Sequence, residues 1–459
     1  MEILLLGLIS LSLGLIWYLI RISGKFRDGD SPCSLEALIF AIWLVASALW
    51  GSYFYSYKLM GGVDISIERL IFMVVIFIMM IGMFRGKVDT RAGMGIECLL
   101  LLFILICLVS MIINGFKSDA PAIPSPWFIF INGYLFPFLA FVFAKNFLVE
   151  EKDGLVVFRT IFLLGSYIAL IAYFEYSGHR EFIYPRYIAD PKILIHLDRA
   201  RGPFLNAAFN GVALNLGFIC GVHLLSRKQG ISRLGYLFLL LAYLPAIFFT
   251  QTRSVYLGFA ITLIALLTVY RVSFSKLKLL AFPVAICLVF MSFNIQVLMS
   301  ADRRQGGVLQ TKEVADRLSL INMSLLMFFD HPIFGVGEGQ FFPAAMEKYR
   351  GKVPFPEGST VFTQHNHFLG LLVELGITGT AVYVAIIFTL FKRLYRLVEF
   401  LPETRFLGYN FLLILATGMI VYLNNNLFVE PSYFLFGNSV FFTFGGMIDG
   451  LHRKYVTAA

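Results

Sequence analysis

The sequence predicts an all-α polytopic membrane protein with about 12–13 transmembrane helices and two long outer loops, and three observations lead there. Of 459 residues, 59% are hydrophobic and 14% charged, with a mean hydropathy of +0.80, more apolar surface than a soluble chain of this length can hide. Apolar runs of the ~20 residues that cross a bilayer recur, for example LLLLFILICLVSMII from Leu99 and LLAFPVAICLVFMSF from Leu279. Lysine and arginine collect in alternate short connections, as in a chain threaded through a membrane.

Taken in order, the runs centre near residues 11, 44, 77, 105, 136, 164, 215, 242, 262, 288, 378, 416 and 442. The first, Ile3 to Ile20, is a span and not a signal peptide: no basic segment precedes it, the run is too long, and its positive charges follow it. The connections 21–33, 85–95, 145–154, 226–235, 271–278 and 392–405 and the C-terminal tail carry two to four basic residues each. Short basic loops stay in the cytoplasm, so the amino terminus lies outside. Of the basic residues left for the outer side, 12 sit in two long loops, 176–203 and 298–365. The +9 formal charge thus has two origins, topology inside and something else outside. The whole chain, 1–459, is expected to be one transmembrane domain bearing these loops, without internal repeats or low-complexity segments.

Five cysteines are scattered, Cys33 in a cytoplasmic loop and Cys98, Cys107, Cys220 and Cys287 in or at spans, so no outer pair is available for a disulfide. The cytoplasmic loops are short and carry no phosphate-binding glycine loop, which argues against a nucleotide enzyme; no nucleic-acid partner is expected. The chemistry is therefore sought outside. There, EVADRLSLINMSLLMFFDHP repeats Leu318, Ile321, Leu325 and Phe328 at helical spacing and stops at Pro332, an amphipathic helix lying on the membrane surface. The GVGEGQFF that follows is a plain flexible turn, or a loop offering backbone N–H groups to phosphate.

Arg253 stands in TQTRS, a five-residue polar connection between apolar runs, close to the outer membrane–water boundary; it anchors a helix end or meets a ligand. Arg317 starts the surface helix, as a solvated charge or as part of a site. Arg199 and Arg201, in DRARGPFLN, close the other basic outer loop. Together these arginines would form a cationic pocket whose guanidinium forks suit a diphosphate.

In FTQHNHFLGLLVELGITG, residues 362–379, Thr363 is a plausible N-cap that would place His365 and Asn366 in the first turn of a span. The helix dipole and nearby arginines would keep that imidazole neutral, a proton acceptor. His365 and His367, two apart, diverge by about 200° and make a poor metal pair, so His367 reads as an interfacial polar neighbour. Glu374 lies two turns below His367 on the same face, a buried carboxylate that serves function or pairs with an arginine or backbone groups. The outer loops hold no Asp-x-Asp or Glu-x-Asp pair to bind a divalent metal, leaving arginine to neutralise a diphosphate; neither metal nor cofactor is expected.

These residues resemble the O-antigen ligase and O-antigen polymerase superfamily of integral membrane glycosyltransferases. The clearest match is HNHFLGLLVELGITG, with His365-Asn366, nine residues, Gly376, two residues and Gly379. FFTQTRSVYLGFAI resembles the family's Thr/Ser-Arg segment at a helix start, and DRLSLINMSLLMFFDHPIFGVGEGQF its Arg-helix-His-Pro-x-x-Gly-x-Gly-x-x-x-Phe block. The likeness covers roughly residues 200–390 well and the first 190 only by general topology. It implies a glycan presented on undecaprenyl diphosphate at the outer face of the bacterial cytoplasmic (inner) membrane. Arg253 and Arg317 would match the diphosphate-contacting arginines and His365 the general base, with no metal required. The His-Asn signature favours a ligase that acts on lipid A core, a growing polysaccharide or another acceptor. A polymerase is the alternative, and Arg201 and Gly217, separated by fifteen residues, resemble a polymerase outer-loop signature. In NNNLFVEPS, Glu430 resembles loosely an acidic residue of the last outer segment. A lipid-linked sugar transporter is the rival of a different class; it would show repeated halves with interrupted helices at the midplane, whereas this chain gathers its polar groups at one face.

Overall fold

In the computed structural model the chain is described over residues 33–51, 56–58, 64–88, 95–116, 124–193, 195–227, 230–269, 311–356, 364–401 and 406–457. Its helices are α1 (Leu35–Leu49), α2 (Ile67–Phe84), α3 (Gly95–Asn114), α4 (Pro126–Phe147), α5 (Glu151–Ser177), α6 (Ala207–Leu225), α7 (Ile231–Phe249), α8 (Arg253–Val269), α9 (Thr311–Asp330), α10 (His367–Leu397), α11 (Tyr409–Asn426) and α12 (Leu435–His452). A small antiparallel hairpin, β1 (Ser56–Lys58) and β2 (Asp64–Ser66), pairs Tyr57 with Ile65. Among the described residues seven helices, α2 to α7 and α10, are long and apolar enough to cross a membrane. The protein is an all-α polytopic membrane protein. Every predicted centre from 44 to 262 and from 378 to 442 falls inside a helix, while those near 11 and 288 lie outside the described residues.

Local signals set the helix starts. Ser34 Oγ accepts from Ala37 N at 3.1 Å to cap α1, Ser125 caps α4 ahead of Pro126, and Asn206 caps α6. Helices α2 and α3 are apolar on every side. Phe72, Val75 and Met79 of α2 pack inward while Leu70, Met73, Phe77 and Met80 stay exposed, as a face turned to hydrocarbon requires. Helix α12 packs closely against α4 through Gly446 and Gly450, where an added Cβ would meet the Phe141 and Lys145 carbonyl oxygens at 2.3 Å. At one end of this seam, buried Asp449 pairs with Lys145 (2.9 Å) and Arg393, and Lys145 also pairs with Glu97. This is the end that the basic connections assign to the cytoplasm.

The helix α10 is not the continuous span that its apolar sequence predicts. Gly376 takes φ 64°, ψ −163°, and divides it into a short half-helix, 367–375, and a long one. The backbone groups freed by the break are taken up by the segment that follows α9. Val336 N and Gly337 N donate to the Val373 and Glu374 carbonyls at 2.9 Å each, while Ile377 N donates to Pro332 O (2.9 Å) and Thr378 N to Ile333 O (3.3 Å). The stretch read from sequence as a flexible turn is thus a fixed clamp. Gly335, Gly337 and Gly339 all have positive φ, and the chain between them lies too close to α3, α4 and α10 for side chains at those positions.

Helix α9 has the expected stripe. Leu318, Ile321 and Leu325 are exposed and Phe328 is half-buried, while Leu320, Met323 and Met327 on the other side pack with Phe341, Tyr349 and Val373. The helix begins at Thr311, so Arg317 lies in its second turn and not at its start.

Candidate active site

The N-terminal ends of α8 and α10 are both fastened to the end of α11. Asn424 Nδ2 donates to Ser254 O at 3.0 Å, and Ser254 Oγ lies 3.3 Å from Asn425 Oδ1, which fixes the turn carrying Arg253. One helical turn further, Leu427 O accepts from Asn366 Nδ2 at 3.1 Å, which fixes the residue beside His365. Next, Glu430 Oε1 lies 3.0 Å from His367 Nδ1 and accepts from Ser432 N at 3.1 Å and from Ser432 Oγ. The segment 424–432 is therefore the hub of the site.

His365 stands alone among pinned neighbours. Asn366, not Thr363, caps α10: its Oδ1 accepts from Leu369 N at 3.0 Å, and Thr363 lies outside the described residues. This corrects the expected first turn, because His365 precedes the helix. Its φ is 53°, a left-handed conformation that costs a non-glycine residue about 1 kcal/mol or more and persists where neighbours over-determine it. Those neighbours are Gln364, buried against Gly370 and Glu374; Asn366, tied twice; and His367, 2% exposed. The His365 ring itself is exposed, without a hydrogen-bond partner among the described residues. It sits in a recess, where crowding by protein, and then the Arg317 charge, lower its basicity below the ordinary histidine value, while Glu430 and Asp316 pull the other way. A neutral imidazole is favoured there.

Arg317 thus lies within electrostatic reach of His365 and is exposed. Arg253 opens α8, also exposed, with no hydrogen-bond or ion-pair partner among the described residues. The other sequence candidates are drawn into the scaffold. Arg201 is fully buried, and its terminal nitrogens donate to the carbonyls of Ile193, Ile195 (2.6 Å), Ile188 (2.7 Å) and Asp190 (3.3 Å). This corrects its place in the cationic pocket: every terminal N–H is spent inside the outer loop. Arg199 is buried too, 3.8 Å from Asp198, and Ala200 N donates to Phe249 O at 3.0 Å, so the loop is tied to the end of α7 just ahead of Arg253. Glu374 holds backbone, accepting from Phe341 N at 3.1 Å. His367, expected as an interfacial neighbour, is instead enclosed, with the Tyr134 ring stacked at 6.4 Å and Tyr383 edge-on at 5.1 Å. Tyr134 is delivered by a π turn in α4, Ile131–Leu135.

Burial opposes the charge on Glu430, but the His367 imidazole and the Ser432 donors outweigh it and hold this carboxyl below its ordinary value. The fold also brings Glu338, absent from the sequence candidates, within electrostatic reach of Glu374 and Glu430; it is 1% exposed, in the clamp. A carboxylate set between two glycines of an otherwise apolar outer segment was the signal for it. No Asp-x-Asp pair exists in the outer loops, yet Glu338, Glu374 and Glu430 converge from three distant positions. Among the described residues no group of three or more His, Cys, Asp or Glu side chains is arranged to hold a metal ion.

Fold and site define a polytopic membrane protein with an accessible neutral histidine and two exposed arginines at one end of its helix bundle. Residues 236–384, from α7 into α10, match the family model described as O-antigen ligase, a stretch that contains Arg253, Arg317, Glu338 and His365. This match supports a place for the chain in the O-antigen ligase and polymerase superfamily. No curated protein matches the chain.

Proposed function

We propose that the protein is a glycosyltransferase of the O-antigen ligase type, which moves a glycan from an undecaprenyl-diphosphate carrier to an acceptor hydroxyl at the outer face of the cytoplasmic membrane. The observation that carries this reading is His365, exposed and unbonded between pinned neighbours and sharing its end of the bundle with Arg253 and Arg317. His365 takes the proton of the acceptor hydroxyl, the oxygen attacks the anomeric carbon, and the bond to the carrier breaks, its electron pair leaving with the diphosphate. The two guanidinium groups stabilise the charge that gathers on the diphosphate oxygens, the task a metal ion performs in other transferases. Asn366, His367, Glu374 and Glu430 serve this reading by fixing the backbone around His365, and the loop of Arg199 by its tie to the end of α7 ahead of Arg253, in place of touching the glycan.

In membranes lacking the protein, long glycans left on the carrier would support a ligase and single repeat units a polymerase. Accumulation of neither would speak for transport. With purified protein, His365→Ala should abolish transfer, by about 10²–10⁴-fold, yet keep binding the lipid diphosphate. Unchanged product formation by that variant would sink the assignment.

A further inference from the structure

Glu338 occupies a place where an ionised carboxylate is costly. Both of its oxygens are buried and lack a hydrogen-bond partner among the described residues, while its backbone N–H is held by Ser110 Oγ at 2.9 Å. The groups facing it are Cys107 and Ser110 from α3, Tyr134 from α4, Glu374 from the half-helix and Glu430 from the segment after α11. None is a cation, and Glu430 is itself matched to His367. Glu374 is different, since its carboxylate accepts from Phe341 N at 3.1 Å and is approached by the Gly339 amide. The donors therefore make Glu374 the more readily ionised of the two acids and leave the proton with Glu338. The two acids belong to opposite sides of one junction, Glu338 to the clamp and Glu374 to the half-helix whose first turn adjoins His365.

We propose that Glu338 is a positioning residue that works as a neutral acid: its proton lets the clamp close on the half-helix beside Glu374, and surrender of that proton to bulk water opens the junction. Burial, and after it the charges of Glu374 and Glu430, push the Glu338 acid well above the usual carboxylate range, so the neutral form prevails at neutral pH. The sign follows: a carboxyl raised in the folded state contributes stability that is fully present below its ordinary, unfolded value and is lost as pH climbs from there through the raised one. That the junction sets His365 for catalysis rests on the transfer reading above. The opening itself does not.

The test is thermal unfolding of the full-length protein in lipid nanodiscs between pH 6 and 10, wild type against Glu338→Gln, which keeps shape and fixes neutrality. The variant is expected to melt above the wild type, by a margin that widens as pH rises from 6 and levels off once Glu338 ionises in the folded protein. Superimposed alkaline limbs would overturn the proposal, as would a variant that unfolds at pH 7, since that would mean the ionised form is needed. No glycan substrate enters this measurement, so its failure leaves the transfer reading standing. A wild type inactive in transfer would defeat only that reading.

Discussion

His367 Nδ1 lies 3.0 Å from Glu430 Oε1, a contact that spans 63 residues and joins the first turn of α10 to the segment after α11. Both side chains are nearly withdrawn from solvent, at 3% and 11% exposed. Removing one partner leaves the other buried without its match, which typically costs about 3–5 kcal/mol. His367→Ala and Glu430→Ala should each lower the melting temperature markedly. A double replacement by apolar residues of similar volume should recover a good part of the loss; thermal melts of the four proteins check this, and a double variant no better than the singles would contradict the pairing.

The acid side of the pH–rate profile should report His365. Crowding and then Arg317 lower its basicity, so the neutral, active form extends below the usual histidine range, and transfer is lost only as pH falls through that lowered value. Arg317→Gln removes a positive neighbour, raises the basicity of the imidazole and should move the acid limb to higher pH. The same change withdraws a donor from the diphosphate and should slow transfer by about 10²–10³-fold. A slowed enzyme with an unmoved limb would separate Arg317 from His365.

Gly376→Ala tests the junction from the other side. Alanine there must adopt φ near 64° and push its Cβ to 2.3 Å from Ile333 O. Strain and overlap together are expected to cost about 2–4 kcal/mol, seen as a lower melting temperature and faster amide exchange at 335–341. Gly86→Ala, also at positive φ but with open space around it, should show the backbone strain without the clash.

Arg201 is expected to matter for stability more than for ligand. Arg201→Met leaves four loop carbonyls without their donor, at about 1–3 kcal/mol for each group that water cannot reach. Limited proteolysis should cut the variant faster between residues 186 and 199. Its affinity for a lipid diphosphate, measured on the folded fraction, should match the parent; a selective loss of affinity would return Arg201 to the binding surface.

The membrane helices were legible because an apolar run of bilayer length has few alternatives, and the predicted centres in the described residues fall within helices. The break in α10 was hidden for the same reason. LLVELGITG continues the apolar pattern through Gly376, and the partners that make the break affordable come from residues 332–337, far off in sequence. Thr363 and Asn366 are both good capping residues three positions apart, and what favours Asn366 is remote, its amide reaching Leu427 O and its successor reaching Glu430. His365, Arg253 and Arg317 were legible as exposed polar groups because such residues in polar connections stand out against an apolar chain. Arg201 stood out equally, and only the course of loop 188–195 shows that its charge is turned inward. Glu338 was passed over because a single carboxylate among glycines resembles a turn until the fold encloses it.

The clamp at Gly376 is held by main-chain atoms on both sides. Amides and carbonyls are common to nearly all residue types, so most substitutions between 332 and 337 leave the bonds intact, and only proline in place of a donor or a side chain on a crowded glycine breaks them. Proteins built around the same junction can therefore drift far apart in sequence while keeping its glycines, and a search for kin would do well to weigh the spacing of those glycines above overall identity.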